Sequence, residues 1–397
     1  MTEPLQCSHF GLEMVCEVPC DGGMRVLCSS PPAIPLSEPS PATQISVVAY
    51  NTWELRYLYQ QNGQRERTCR QLRELFRLRQ DIDVIVFNEA FMGGCFSSVN
   101  STTSANTLTI RDILVQYGFN FFTGTIGEER ELPKFENGGV FIAARWPIEA
   151  EDETIYNAAV NTTSDALSAK GAKYARVVKT VDGDSRIYHI FGTHLQASKG
   201  VVADNVRVKQ ASQMYDFAQG LNLLSDEPVI YAGDLNANFY TDAPSNAADI
   251  FEALEAVVPP IIGVYNYTTD GLENDARDGD SKSFKDYVIY NQHHLNPTTA
   301  TQEILRPRTS ESFEVCMEAF SPYPSYPHSQ RCRKIQNITD LSDHFAVIGV
   351  LDFDDRMSST TDHAPTSTDS EAGRLVQDLC MVLVVIASVL FTLAPPS

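Results

Sequence analysis

The chain alternates short apolar runs with polar segments, and the runs have the length of buried strands. They are four to eight residues long and rich in β-branched and aromatic side chains. Runs of this length and composition predict strands. The predicted strands are Ile45–Tyr50, Val84–Phe87, Val140–Ala144, Tyr174–Val181, Ile187–Thr193, Val229–Ala232, Tyr287–Tyr290 and Phe345–Leu351.

Two other segments repeat apolar residues at helical spacing. Thr68–Arg79 does so with Leu72, Leu75 and Phe76, and Val202–Gly220 does so farther along the chain. Helices interspersed among strands are typical of the α/β class, in which helices cover the faces of a sheet. The periodicity leaves two architectures open: a single doubly wound sheet, and a sandwich of two sheets with helices outside.

Isolated polar side chains stand at the ends of the apolar runs. Strand ends on one edge of a sheet bring side chains from distant parts of the sequence into one pocket. Oxygen ligands and histidines, without a CxxC or His-rich cluster, suit Mg²⁺ or Mn²⁺ better than zinc. The set therefore indicates metal-assisted attack on a phosphate ester. Its members are Asn51, Glu89, His194, Asp234, Asn236, Asp343 and His344.

Seven short motifs around these residues occur in the order of a known family. Together they resemble the endonuclease/exonuclease/phosphatase (deoxyribonuclease-like) superfamily over about residues 44–353, and its neutral sphingomyelinase branch in particular. The resemblance implies a four-layer sandwich of two packed mixed β-sheets flanked by helices, in the α/β (α+β) class. The motifs are Tyr50-Asn51-Thr52-Trp53, Asn88-Glu89-Ala90-Phe91, Gly139-Val140-Phe141-Ile142, Gly192-Thr193-His194-Leu195-Gln196, Gly233-Asp234-Leu235-Asn236, Asp286-Tyr287 and Ser342-Asp343-His344.

Glu89 and Asn51 are the residues that we expect at the metal. A charge after a fully apolar strand is costly unless it is paired or bound to a metal. Taken alone, Glu89 also fits a helix-capping or surface carboxylate, and Asn51 fits a turn. In register with the other motifs, Glu89 is interpreted as the ligand of Mg²⁺, with Mn²⁺ as the alternative ion. Asn51 shares the metal or holds its water.

Asp234, Asn236 and His194 are expected around the phosphate. Asp234 and Asn236 are two residues apart, so their side chains point the same way in an extended segment. Asp234 would orient or stabilise the groups around the phosphate. Asn236 would donate a hydrogen bond to a non-bridging oxygen, and His194 would donate one to the phosphate as negative charge builds on it. A Gly-Asp-x-Asn turn is the alternative for the pair. His189, five residues before His194, is interpreted as a structural histidine.

His344 is expected to be the general base that activates water, a role suited to a pKa near neutrality. By resemblance, Asp286 orients its ring. Asp343 is the alternative for that role, or supports the metal shell. One water and one metal ion would then cleave the phosphodiester by in-line displacement without a covalent intermediate.

Asp165 and Lys170 resemble the Asp–Lys pair on the regulatory loop of neutral sphingomyelinases. The resemblance implies a mobile loop that governs activation. Ala172-Lys173 stands where the family has two apolar residues. A charged surface loop is the other interpretation, and the five-residue spacing does not exclude it.

Cysteines and glycosylation motifs favour a secreted, oxidising compartment. Nine cysteines are present, and Cys316–Cys332 is the expected disulfide. Residues 1–30 lack the apolar core of a signal peptide, so a signal is expected upstream of this sequence, and unconventional export is the alternative. Four asparagines head Asn-x-Ser/Thr triplets: Asn100, Asn161, Asn266 and Asn337.

Two segments in the C-terminal part of the chain suggest contact with a membrane. Phe320, Tyr323 and Tyr326 stand on a loop where bacterial sphingomyelinases carry a membrane-inserting hairpin, although a self-packed proline-rich loop fits equally. The apolar stretch Leu379–Leu393 follows a polar spacer and small residues, as in a GPI-attachment signal. A tail anchor and a buried C-terminal helix are the alternatives.

These features divide the chain into four parts and favour one function. The parts are a cysteine-containing segment and Ser/Pro-rich linker (1–43), a catalytic domain (44–353), a polar linker (354–378) and an apolar tail (379–397). The resemblance implies a monomeric, surface-bound, Mg²⁺-dependent phosphodiesterase that hydrolyses sphingomyelin to ceramide and phosphocholine. Lysophospholipid, phosphoinositide or nucleic-acid substrates, or an inactive binding protein, are the alternatives. A net charge of −21 disfavours nucleic acid.

Overall fold

Two large mixed β-sheets pack face to face, and α-helices cover their outer sides. In the computed structural model the described residues are 13–20, 23–29, 34–55, 62–91, 94–100, 105–128, 136–160, 164–240, 247–319 and 332–354. Strands and helices are numbered in chain order. In spatial order, the first sheet contains β13 (Ala256–Val257), β17 (Asp286–Asn291), β12 (Val229–Asp234), β11 (Asp184–His194), β10 (Gly171–Val181) and β9 (Ile148–Ile155).

The second sheet has seven strands and packs against the first. In spatial order it contains β14 (Ile261–Ile262), β18 (Thr299–Leu305), β21 (Ala346–Asp352), β3 (Gln44–Glu54), β4 (Val84–Ala90), β8 (Phe141–Ala144) and β7 (Phe121–Phe122). Smaller sheets are formed by β1 (Glu13–Cys20), β2 (Gly23–Ser29), β5 (Gly94–Asn100) and β6 (Ala105–Thr109), by β15 (Thr269–Asp270) with β16 (Lys282–Ser283), and by β19 (Arg308–Ala319) with β20 (Cys332–Asp340).

The helices lie where their apolar faces can cover the sheets. They are α1 (Gln64–Leu78), α2 (Ile110–Gln116), α3 (Val201–Gly220), α4 (Ala247–Ala253) and a short 3-10 helix (Ser164–Leu167). Helix α1 buries Leu72, Leu75 and Phe76, as the periodicity predicted, but begins four residues earlier than expected. Its early start has a physical reason: the first turn contributes buried polar side chains, among them that of Arg67. None of the helices in the described ranges is long and apolar enough to cross a membrane.

Glycines allow the two sheets to approach closely. A β-carbon at Gly349 would lie 2.4 Å from the Cγ1 atom of Val288, and one at Gly192 would lie 2.8 Å from the Cγ1 atom of Val86. Each contact joins one sheet to the other. The expected sandwich is confirmed, and the doubly wound single sheet is excluded.

The crossover from β11 through α3 to β12 fixes the active edge. These two strands are parallel, so both end at the same edge of the sheet. Strand β17 runs antiparallel to β12 and therefore begins there. Helix α3 starts beside this edge and returns to the opposite one, where β12 begins. The predicted catalytic residues of three strands therefore share one edge.

The N-terminal segment before β3 is tied to the sandwich. The Lys179 ammonium, fully buried, donates to Ser40 Oγ at 2.7 Å, to the Gln44 carbonyl at 2.8 Å and to Asp83 Oδ2 at 2.8 Å. The Tyr188 hydroxyl donates to the Ala42 carbonyl at 2.6 Å. Residues 34–43, expected to be part of a linker, thus contact the catalytic domain closely, and the described residues up to Asp354 belong to one compact unit.

Several predictions from the sequence fall partly or wholly outside the described residues. Phe320, Tyr323, Tyr326, Asn161 and the apolar tail lie outside them, and the side chain of Asn100 is not described. Asn266 and Asn337 are exposed. Cys69 takes part in a disulfide bond, and so does Cys316. The pairing of Cys316 with Cys332 stays a prediction.

Replacing Asp83 with alanine is expected to destabilise the fold strongly. The substitution would leave the buried Lys179 ammonium without its carboxylate, which costs about 3–5 kcal/mol. Denaturant unfolding measures the loss. Arg77→Ala is the control, because Arg77 is 52% exposed in its ion pair with Glu74 and its removal should cost less than about 1 kcal/mol. Equal, small effects of both substitutions would contradict this account of the buried pair.

Candidate active site

Three predicted catalytic residues lie in one row across the first sheet. His194 at the end of β11 pairs with Asp234 at the end of β12, and Asp234 pairs with Asp286 at the start of β17. All three side chains are buried. The strand-end criterion used on the sequence therefore identified residues that the sheet brings side by side.

The second sheet brings Asn51 and Glu89 to the same place. The Asn51 amide nitrogen lies 3.1 Å from Glu89 Oε1 and 3.1 Å from Asp234 Oδ2, so one amide group bridges carboxylates of both sheets. Its oxygen accepts the backbone N–H of Trp53 at 3.1 Å. Asn51 is thus held between the two sheets by hydrogen bonds on both ends of its amide.

Asn88 also ties the two sheets together at this edge. Its amide donates to the Thr193 carbonyl at 2.8 Å and accepts the Asp234 N–H at 3.0 Å, and the side chain is fully buried. From the sequence, Asn88 was expected only as part of the motif Asn88-Glu89-Ala90-Phe91, without a role of its own. Its position directly before Glu89, after an apolar run, was the signal that could have found it.

His344 and Asp286 form the closest acid–base pair of the site. His344 Nδ1 lies 2.9 Å from Asp286 Oδ2 and 3.8 Å from Asp234 Oδ2. Burial by itself would lower the pKa of His344, but the carboxylates of Asp286, Asp234 and Asp343 outweigh it and raise the pKa to about 9. Of the two carboxylates considered for orienting this ring, Asp286 makes the contact. Asp343 instead pairs with Arg277 at 3.4 Å.

His194 lies in a different electrostatic environment. Burial, and then the nearby Lys170 ammonium, lower the pKa of His194 to about 4. Its Nε2 atom lies 2.9 Å from the Asn236 amide nitrogen, whereas no described residue bonds its Nδ1 atom. If the amide donates, the ring is neutral with its proton on Nδ1. Asn236 therefore orients His194 in this structure.

Glu89 and Asp234 respond differently to the same cluster. Burial, and then the negative charge of Asp343, raise the pKa of Glu89 to about 7. Burial also acts against ionisation of Asp234, but His344 and His194 hold its pKa at about 2. A nearby bound cation would favour the ionised form of Glu89.

Backbone strain concentrates at the same edge. Trp53, Glu89 and Asn236 each have φ of 53°, in the left-handed region that residues with a β-carbon rarely adopt. Such conformations persist where surrounding contacts enforce them and are frequent at functional sites. Each of the three lies at or just beyond a strand end that carries a predicted site residue.

A buried arginine stabilises the backbone segments that carry site residues. Arg67 donates to the carbonyls of Thr52, Trp53 and Leu341 at 3.0, 2.7 and 2.6 Å. These carbonyls flank Asn51 and the Asp343–His344 segment. The Ser342 hydroxyl donates to the Asn51 carbonyl at 2.7 Å and joins the same two segments. The sequence carried no signal for Arg67, because a polar position in an amphipathic helix normally faces solvent.

Asp165 and Lys170 contact the backbone that follows His194. The Lys170 ammonium donates to the Leu195 carbonyl at 2.9 Å and lies 3.6 Å from Asp165. Asp165 accepts the Ala197 N–H at 2.6 Å and the Gln196 amide at 2.7 Å. The predicted regulatory pair therefore packs against the catalytic edge. Its regulatory role stays a prediction.

The donor set fits a divalent cation. Carboxylate or imidazole atoms of Asp234, Asp286 and His344 lie within 4.8 Å of one another. The second oxygens of Asp286 and Asp343 are buried and have no bonding partner among the described residues. Several carboxylates meet here, and such a concentration of negative charge is favourable when a cation balances it. Chemically, the edge can bind a cation, hold a phosphate and accept a proton from water at His344.

Sequence comparison connects the chain with sphingomyelinases. No family model matches it. A sphingomyelinase C of Bacillus cereus is 26% identical over 281 residues, which cover 67% of this chain and 81% of that protein. One from Listeria ivanovii is 24% identical over 68% of this chain and 75% of that protein.

Solved structures establish the fold. Sphingomyelinase C from Streptomyces griseocarneus superposes with a TM-score of 0.61 at 24% identity, covering 79% of this chain and 100% of that one. The beta toxin of Staphylococcus aureus, in a mutant structure with bound magnesium ions, superposes with a TM-score of 0.61 at 22% identity. The match covers 77% of this chain and 99% of that one. An endonuclease/exonuclease/phosphatase family protein from Bacteroides thetaiotaomicron superposes with a TM-score of 0.50 at 14% identity. The match covers 79% of this chain and 98% of that one.

The titration of His344 is expected to report on a bound cation. Without metal its pKa should lie near 9, and Mg²⁺ should lower it because a nearby positive charge disfavours the imidazolium. NMR of histidine side chains, with His344→Gln for assignment, measures both values. The raised folded-state pKa also stabilises the metal-free fold fully below about pH 6.5, the unfolded value. That contribution is lost as the pH rises through about 9. A pKa that Mg²⁺ leaves unchanged would place the cation elsewhere.

Proposed function

We propose that this chain, a relative of the bacterial sphingomyelinases C within the endonuclease/exonuclease/phosphatase superfamily, hydrolyses sphingomyelin to ceramide and phosphocholine. The reaction is that of a phospholipase C-type phosphodiesterase. The observation that carries the proposal is the continuous polar edge from Glu89 through Asn51 and Asp234 to the His344–Asp286 pair. It combines a cation ligand, a phosphate-binding region and a general base.

The proposed cation is Mg²⁺, held by Glu89 with Asn51 beside it. Hard carboxylate oxygens suit Mg²⁺ or Mn²⁺, and the Asn51 amide nitrogen would hold the Glu89 carboxylate in position. The cation would neutralise phosphate charge and polarise the phosphorus–oxygen bond when bound. Glu89 fits this role because its carboxylate lies at the edge near Asp234 and Asp343, whose negative charges a bound cation would balance.

His344 would activate the water. Asp286 holds Nδ1, which leaves Nε2 as the nitrogen that accepts the proton from water. A general base must be neutral at working pH, and the surrounding carboxylates oppose this by stabilising the imidazolium. A nearby cation counteracts them. The charge of the metal site and the basicity of His344 are therefore coupled in this proposal.

His194 would bind the developing negative charge on the phosphate. Its neutral ring, oriented by Asn236, carries a proton that no described protein group accepts. A neutral donor can stabilise an oxyanion through a hydrogen bond without transferring its proton. Asp234, whose low pKa keeps it ionised, would hold both histidine rings and the Asn51 amide in place.

The location of the protein is also proposed. We propose an extracellular enzyme, glycosylated at exposed sequons such as Asn266 and Asn337, with a disulfide between Cys316 and Cys332, and attached to the membrane through a GPI anchor that replaces Leu379–Leu393. Phosphatidylinositol-specific phospholipase C should then release it from cells. A C-terminal peptide ending at Ser397, recovered from membranes, would contradict the anchor.

Glu89→Gln is expected to abolish metal-dependent hydrolysis while leaving the fold intact. Activity is measured on sphingomyelin, phosphatidylcholine, lysophospholipids and DNA, with Mg²⁺ or excess EDTA, and Mg²⁺ affinity is measured by calorimetry. Glu149→Gln, an exposed carboxylate paired with Arg176, is the matched control and should retain both properties. Full activity in EDTA would reject the metal, and preference for another substrate would reject sphingomyelin.

The three buried histidines are expected to separate by role. His344→Ala and His194→Ala should each slow hydrolysis by at least about 10²-fold, the range for acid–base and oxyanion groups. His189 lies 2.8 Å from the Tyr174 hydroxyl and 2.7 Å from Glu227, so its loss should cost about 1–3 kcal/mol of stability instead. Turnover numbers measure the loss of rate, and unfolding midpoints measure the loss of stability. A rate loss at His189 equal to that at His344 would refute this assignment.

A further inference from the structure

Helix α3 begins at the active edge with two exposed valines. Val201 and Val202 are 71% and 68% exposed, and they follow the six-residue turn that starts after His194. Leu195 in this turn is buried, and its other residues are polar or small. Large apolar side chains in the first turn of a helix, facing solvent, gain nothing from folding. Covering them with an apolar partner would be favourable.

Three more exposed apolar side chains lie at the same edge. Leu167, 47% exposed, belongs to the 3-10 helix that Asp165 fastens to the Ala197 N–H at 2.6 Å. Phe239 and Tyr240, 39% and 48% exposed, follow Asn236 by three and four residues and pack edge-to-face at 5.2 Å. We call Leu167, Val201, Val202, Phe239 and Tyr240 the apolar rim.

We propose that the apolar rim docks the enzyme on a zwitterionic lipid bilayer, with the active edge facing the headgroups. This inference rests on the proposed function, because a sphingomyelin phosphate lies at the bilayer surface and the catalytic edge must reach it. Amphipathic surfaces bury apolar side chains at the boundary between headgroups and acyl chains. Tyr240 suits such a boundary, since its ring is apolar and its hydroxyl is polar.

The charge of the chain selects the kind of membrane. A formal charge of −21 repels anionic lipids, so a neutral, choline-rich surface is the favoured partner. The apolar rim is a different part of the chain from the loop that carries Phe320, Tyr323 and Tyr326. The rim flanks His194 and Asn236, at the ends of β11 and β12.

The opposite end of α3 supplies a matched control. Leu224 is 60% exposed, a fraction similar to that of Val201. It follows the C-terminus of the helix, at the far edge of the sheet. A helix of 20 residues separates the two ends by about 30 Å at roughly 1.5 Å per residue. A docked rim would bring Val201 to the lipid and keep Leu224 in water.

Tryptophan fluorescence tests the docking directly in the full chain. Val201→Trp and Leu224→Trp are each compared with the parent protein, whose Trp53 and Trp146 provide the background. Vesicles of phosphatidylcholine and sphingomyelin with brominated acyl chains serve as the probe. Quenching of the tryptophan at position 201, and none at position 224, is the expected result. The readout does not depend on catalysis or on the means by which the chain is anchored.

Activity provides a second test. The double variant Val201→Asp, Val202→Asp should lower hydrolysis of vesicle sphingomyelin by at least about tenfold, because it removes apolar burial and adds charge at the interface. Hydrolysis of a water-soluble phosphodiester should not change. Aspartate in the first turn is compatible with the helix dipole, so the fold should be retained. Leu224→Asp should affect neither substrate.

The outcomes separate this inference from the proposed function. No quenching at position 201, or equal quenching at 201 and 224, overturns the docking surface even if sphingomyelin is hydrolysed normally. Stronger docking on anionic vesicles than on zwitterionic ones overturns the choice of membrane. Quenching at position 201 alone, in a protein that hydrolyses no phosphodiester, supports the surface and rejects the enzymatic proposal.

Discussion

The hydrogen bonds that cross between the two sheets at one edge hold the whole site together. Asn88 joins the end of β4 to the ends of β11 and β12, and Asn51 bridges Glu89 of one sheet to Asp234 of the other. A buried polar group without a partner costs about 1–3 kcal/mol. Each amide therefore fixes the spacing of the sheets and, with it, the distance between the metal-ligand candidate and the phosphate-binding residues.

Charge is the second constraint, and it explains why neighbouring groups differ. Asp286, Asp234 and Asp343 lie around His344, so its imidazolium is stabilised, whereas burial and then the Lys170 ammonium keep His194 neutral. One residue type thus acquires two distinct protonation states from its surroundings. The excess of carboxylates suits a divalent cation. The apolar rim beside this charged edge would place the same chemistry at a lipid surface.

Much of the fold and the site could be predicted from single residues and runs. Strand ends at His194, Asp234 and Glu89 were found because buried strands are apolar and a charge at their end stands out. The start of α1 was missed because Arg67 is a polar residue of the kind that normally faces solvent, and only tertiary contacts bury it. Asn88 was overlooked because a neutral amide beside a glutamate attracts no electrostatic argument on its own.

The sequence by itself determined which segments are buried strands and which polar side chains interrupt them, since both follow from local periodicity and the cost of burying charge. It did not determine which of these side chains face one another. Only the tertiary structure decided that Asp286 pairs with His344, that Asp343 pairs with Arg277, and that Asn236 orients His194. The reason is physical: these contacts depend on strand register and on the approach of two sheets, which join residues far apart in the chain.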